Sequence, residues 1–208
     1  MSSTIPNPVQ IITRKMMSAN QVLSIDYPWV ILMPNINVQN KINNSILHLV
    51  NKLIVDQGYY QNPVTTMMGW YELKNNQKAV LSLSLGNYTY FYHAAHGMTV
   101  IKSLTFSTDD GKSYSLGEMF KPGRDYVKIL SDIVAKQIEL RKIDLLGEFK
   151  GISPDQDFYI ADKCLVIYFQ LYEITPYAEG FQFFPISVYE IQDIIKEGSP
   201  LDIMTINE

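Results

Sequence analysis

Polar and apolar residues alternate with a period of two over much of the chain and take up a helical period in only a few stretches. From Val9 to Met17, and again from Gln21 to Leu32, extended patterns flank the polar break Ser18-Ala19-Asn20. Pro28 inside the second run predicts an edge position or a bulge, because proline cannot donate to a ladder. After Pro34, Asn35 and Asn37 are both candidate N-caps. Ile42, Ile46, Leu49, Val50, Leu53 and Ile54 then recur at helical spacing, with Lys41, Asn44, Asn51 and Lys52 off the stripe and Gly58 closing the helix. Leu49 and Leu53 are therefore expected in the core.

Residues 66–107 read as a run of antiparallel strands. Leu81, Leu83 and Leu85 alternate with Ser82 and Ser84, the pattern of a half-buried strand, and Tyr88, Tyr90 and Tyr92 continue the period after Gly86. Asn75-Asn76 predicts one turn and Asp110-Gly111 another. Leu130, Val134 and Ile138 step by four within 123–142, a second helix entered through Pro122-Gly123. Phe158 to Ile160 and Leu165 to Leu171 form a hairpin pattern about the polar turn Ala161-Asp162-Lys163. Ser187-Val188-Tyr189-Glu190 has the form of a capping box opening a last short helix to about Lys196. Helices and strands come in separate blocks, so the expected class is α+β, a mainly antiparallel sheet with packed helices.

Composition adds limits. At 208 residues with 47% hydrophobic and 18% charged residues, the chain can bury a proper core. No apolar run approaches the roughly 20 residues that span a bilayer, so no transmembrane segment is expected. The first residues lack the basic start and apolar stretch of a secretory signal. Taken as complete, the chain reads as cytoplasmic; a removed leader or anchor would make it extracellular. Cys164 is the single cysteine, which excludes an intramolecular disulfide and a C-x-x-C metal pair. The net charge is −4 and basic residues are scattered, which argues against nucleic-acid binding.

Chemistry-bearing patterns are few. His93-Ala94-Ala95-His96 invites a zinc reading, but the remaining histidine is the distant His48 and no H-E-x-x-H exists. His96, ahead of Gly97, is taken as a structural loop residue, with no metal and no cofactor expected. Asp155 and Asp157 precede the Phe158 strand, and Glu173 and Glu179 bracket the loop after the hairpin. Paired carboxylates hydrolyse only when one is held protonated in an apolar pocket. No catalytic residues are assigned. The 14 tyrosines are the strongest remaining signal, since phenols supply contact area at low entropic cost. Tyr159, Tyr172, Glu173, Pro176 and Tyr177 are the candidate binding residues: phenols and an acid on a proline-stiffened loop.

The run Q-D-F-Y-I at 156–160 and V-I-Y-F-Q-L-Y-E-I-T-P-Y-A-E-G at 166–180 resembles the extracellular region of the lysozyme-sensing anti-sigma factor RsiV of Gram-positive bacteria. A similar domain precedes the catalytic part of the peptidoglycan deacetylase PdaC. Y-P-W-V at 27–30, N-K-I-N-N-S-I at 40–46, H-A-A-H-G at 93–97 and D-G-K-S-Y-S-L-G-E-M-F at 110–120 agree in order, so the resemblance covers roughly residues 10 to 196. It implies two intimately joined subdomains: 9–92, like the deacetylase-associated domain, and 93–198, like the anti-sigma-factor domain. It also implies a non-catalytic binding module related to bacterial cell-envelope sensing. Its partner would be a protein, lysozyme being the one suggested, or a cell-wall glycan. The alternatives are a hydrolase using loop carboxylates and a cytoplasmic interaction protein. Oligomeric state is not encoded in any pattern found.

Overall fold

A computed structural model of the chain describes residues 8–61 and 63–206 and divides it into two compact units, the first ending at Ser113 and the second beginning at Tyr114. Each unit has its own sheet and at least one helix, and the class is α+β as expected. The division falls some way past the expected 92/93 boundary because the strand at Met98–Ser107 hydrogen-bonds into the first sheet.

The first unit contains β1 (Gln10–Met17), β2 (Leu23–Ile31), α1 (Ile36–Asp56), β3 (Val64–Gln77), β4 (Val80–Phe91) and β5 (Met98–Ser107), the strands lying in that order in one sheet. All neighbours are antiparallel except β2 and β3, which are parallel and joined through α1. Asn35 is the N-cap of α1: its side chain accepts from the backbone N–H of Asn37 and of Val38. Asn37, the other candidate, is inside the helix. The apolar stripe packs on the sheet, with Ile42, Ile46, Val50, Leu53 and Ile54 buried and Leu49 half-buried at its margin.

Parallel pairing of β2 with β3 covers only Leu23 to Ile25. Beyond it the β2 backbone needs another partner, and α1 supplies one. Buried Asn43 accepts from the Val30 N–H at 2.8 Å and donates its amide to the Val30 carbonyl at 2.8 Å. Pro28 lies two residues back on the same edge, where its missing N–H leaves no ladder bond unmade. The expected edge character of Pro28 thus holds on that side of the strand.

Two details differ from expectation. The β3–β4 turn is made by Lys78 and Ala79, at φ 53° and 58°, and not by Asn75-Asn76. The register shifts between Leu73 and Asn75, and both asparagines become strand residues with bonded side chains. Asn75 donates to the Val80 carbonyl at 2.7 Å, and Asn76 brackets Val9 by accepting from its N–H and donating to its carbonyl. Strand β4 is also buried on both faces, Ser82 and Ser84 included, where the alternation suggested one wet face. The Ser82 hydroxyl is satisfied sideways, sharing a hydrogen bond with Thr105 on β5 at 2.9 Å.

Gly69 stands opposite Ile25 where β3 pairs with β2. A Cβ built on it would stand 2.5 Å from Cγ2 of Ile25 and 3.1 Å from its Cβ, both held in the core. Gly69→Ala is expected to cost about 1–3 kcal/mol by overpacking. A thermal melt that matches the unmodified protein would refute that reading of the glycine.

The Asp110-Gly111 turn forms as predicted. Gly111 has φ 71°, and the Lys112 N–H donates to the Asp110 carboxylate at 2.9 Å. That backbone bond holds the Asp110 carboxyl below the ordinary carboxylate range.

The second unit contains α2 (Tyr126–Arg141), β6 (Phe158–Ala161), β7 (Cys164–Phe169), β8 (Gln182–Ser187) and α3 (Pro200–Thr205), with antiparallel order β6-β7-β8. Asp125 caps α2, and Leu130, Val134 and Ile138 are its buried stripe. The β6–β7 hairpin turns at Asp162, φ 49°, and Lys163, as the pattern predicts, though β7 ends at Phe169. Along the outer edge of β8, Gln137 donates to the Pro185 carbonyl and Arg141 to the Phe183 carbonyl, each at 2.8 Å.

The helix expected from Ser187 to Lys196 is absent. Ser187 still belongs to β8, and turns follow, pinned by buried Ile191, Ile194 and Ile195 and by backbone bonds joining Lys121 to Ile194 and Lys196 to Met119. A helix forms later, where Ser199 caps α3 and Pro200 takes its first position.

Candidate functional site

The loop that follows β7 carries four of the five candidate residues, and its shape is fixed from within. After Phe169 the chain reverses, with the Glu173 N–H bonded to the Gln170 carbonyl. The Glu173 carboxylate closes the same turn, accepting from the Gln170 N–H at 2.6 Å and from the Gln156 amide at 2.9 Å. Between them Tyr172 sits at φ 65°, a left-handed conformation that a bulky residue adopts only when its surroundings impose it. Its side chain is 46% exposed. Pro176, at φ −56°, opens a short 3₁₀ turn, Tyr177–Glu179, that ends at Gly180.

This geometry brings two of the tyrosines together. The Tyr172 and Tyr177 rings lie 5.5 Å apart, tilted by 36°, with Tyr172 exposed and Tyr177 half-buried. Tyr159 is placed elsewhere: its ring packs with Tyr168 at 5.8 Å and Phe183 at 6.2 Å on the sheet. Glu179 is exposed at the end of the 3₁₀ turn.

Gln156 was not singled out by its sequence position, yet it organises the site. It is 6% exposed. Its amide nitrogen donates to the Tyr168 carbonyl at 3.0 Å and to Glu173, while its oxygen accepts from the Ser153 N–H at 3.1 Å. One side chain thus ties the segment before β6 to the end of β7 and to the tyrosine loop. Beside it opens a cleft of about 550 Å³, lined by residues 145–151, Ser153, Gln156, Phe169 and Tyr172 to Ile174. The bond from the Leu146 N–H to the Ile174 carbonyl joins its two walls. Phe149, set edge-on to Phe169 at 6.0 Å, lines the same cleft as Tyr172. The paired glycines Gly147 and Gly151 around Glu148-Phe149-Lys150, in a stretch without periodicity, are the one sequence signal for this wall.

The other candidate chemistry does not converge. Asp157 accepts from the Gln170 amide at 2.8 Å, Asp155 accepts from the Ser153 hydroxyl, and Asp155, Glu173 and Glu179 are all exposed to solvent. His93 and His96 lie in the exposed β4–β5 loop, His93 at φ 62° with its ring 3.8 Å from that of Tyr92. The His96 Nδ1–H donates to the Gly97 carbonyl at 2.8 Å. Among the described residues no three His, Cys, Asp or Glu side chains group as a metal site would require, and no helix is long and apolar enough to cross a membrane.

Fold and site together define an α+β protein whose second unit presents an aromatic loop beside a cleft. Residues 117–189, which contain all five candidate residues, match the family described as a protein of unknown function, DUF3298. The fold is similar to that of a DUF3298 family member of Bacteroides fragilis NCTC 9343, with 12% identity, a TM-score of 0.65, and 96% of this chain and 97% of that chain covered. It is also similar to a DUF3298 family protein of Pseudomonas aeruginosa PAO1, with 14% identity, a TM-score of 0.64, and 92% and 95% coverage. No curated protein matches the chain.

Proposed function

We propose that the chain is a non-catalytic recognition module of the bacterial cell envelope that meets a protein or glycan partner through the Tyr172–Tyr177 loop. The observation that carries this reading is the ring pair itself. Two phenols are held 5.5 Å apart on a loop stiffened by Pro176 and by the hydrogen bonds of Glu173. Such an arrangement lowers the ordering cost of binding, because contact area is fixed before the partner arrives. Glu173 is then chiefly a brace, and Glu179 is the acid free to face a basic partner.

The resemblance to RsiV and to the non-catalytic domain of PdaC supports the envelope setting and suggests lysozyme, a basic protein, as partner. On this reading the first unit corresponds to the deacetylase-associated domain and the second to the anti-sigma-factor region. His96 is read as a brace of the β4–β5 loop. Exposure of the loop carboxylates weighs against a hydrolase, since a general acid needs an apolar pocket to keep its proton.

Tyr177→Ala tests the proposal. Loss of a central aromatic anchor is expected to weaken lysozyme binding by about tenfold or more, with the melting temperature nearly unchanged. A large fall in melting temperature would assign the ring to the core. Failure of the unmodified protein to bind lysozyme at micromolar concentration would remove that partner.

A further inference from the structure

We propose that the cleft beside the tyrosine loop binds a short neutral oligosaccharide. The inference rests on reading the second unit as a binding module, and it names a ligand for the cleft, which shares Tyr172 with the aromatic loop but is not lined by Tyr177. At about 550 Å³ the cleft is within the range of about 300–1,000 Å³ typical of small-ligand sites.

Its walls combine two kinds of group. Phe149 and Tyr172 offer partly exposed rings beside buried Phe169, while Glu148 and Lys150 offer charged hydrogen-bonding groups. A pyranose presents the matching chemistry, an apolar face of C–H bonds and a rim of hydroxyls. Charge narrows the choice. Two carboxylates, Glu148 and Glu173, stand against the single ammonium of Lys150, so the lining holds no positive excess for a phosphate or polyanion. The Glu148 and Lys150 side chains make no hydrogen bond or ion pair with other described residues, which leaves both available to hydroxyls.

The walls are also held in place before any ligand enters. Buried Gln156 ties Ser153, Tyr168 and Glu173 together, and Glu173 closes the turn that keeps Tyr172 in its left-handed conformation. In the 145–151 segment, Gly151 takes φ 101° and the bond from the Ile152 N–H to the Ser131 hydroxyl at 2.9 Å holds the end next to Phe149 and Lys150. Backbone strain at the lip of a pre-organised cleft is the pattern of a ligand clamp.

The test is an NMR titration of the full chain with two neutral trisaccharides, maltotriose and N,N′,N″-triacetylchitotriose, and with tetra-alanine as an extended-peptide control. Expected is a shift of the residue 145–151 and Tyr172 resonances with at least one sugar and none with the peptide. Phe149→Leu, which keeps apolar volume but removes the ring, is expected to weaken sugar binding by about tenfold, and Phe149→Tyr to preserve it. Tyr177→Ala is expected to leave sugar binding intact while impairing the protein partner, so failure of the cleft and failure of the loop are told apart. Absence of shifts with both sugars at millimolar concentration, shifts with the peptide alone, or undiminished binding by Phe149→Leu would each overturn the proposal.

Discussion

Replacing Asn43 with alanine is expected to lower the unfolding free energy by about 2–6 kcal/mol, since each of two buried backbone groups loses its partner at about 1–3 kcal/mol. Asn43 is 1% exposed, and its amide bonds both the N–H and the carbonyl of Val30. Water has no ready access to replace it, and β3 has already parted from β2 at Ile25. Asn43→Leu, with the same branching and the same number of side-chain heavy atoms, should be no better, because the missing quantity is hydrogen bonding and not packing. Urea unfolding is the measurement. A midpoint unchanged in both variants would show that Val30 finds other partners.

Leu53→Ala should cost about 2–5 kcal/mol, the range for deleting a fully buried leucine. Leu53 is 4% exposed and belongs to the core cluster between α1 and the sheet. Leu49 lies at the margin of the same stripe, and its truncation should cost distinctly less. The comparison is sharper than either value alone. Equal losses in the two variants would mean that α1 is rotated about its axis relative to this description.

These two residues also show what the chain made legible before any coordinates. Leu53 was readable because an amphipathic helix repeats its core positions, and the cap at Asn35 and the turn at Asp162-Lys163 were readable because their chemistry is local. Asn43 looked like any polar residue near a helix stripe. Its role depends on where β2 loses β3, a non-local event that no window of sequence contains. The same holds for the misplaced turn. Asn75-Asn76 carries turn chemistry, but a register shift claimed both residues for the strand and left Lys78 and Ala79 to take positive φ. Ser187 likewise had the spacing of a capping box, and β8 pairing with β7 overrode it. At the candidate site the aromatic loop was visible as a motif. Gln156 and Phe149 were not, because a buried amide and a cleft wall are defined by what surrounds them.

The bonds from Gln137 and Arg141 to the rim of β8 have a bearing on how the second unit stays apart from its neighbours. A three-stranded sheet has two open borders, and an open border is a template on which a second chain can add itself. Proline at position 185 blunts that border, and α2 occupies two of its remaining acceptors. With the carbonyls of Phe183 and Pro185 taken by side chains of the same polypeptide, a second chain finds no acceptors there on which to extend the sheet.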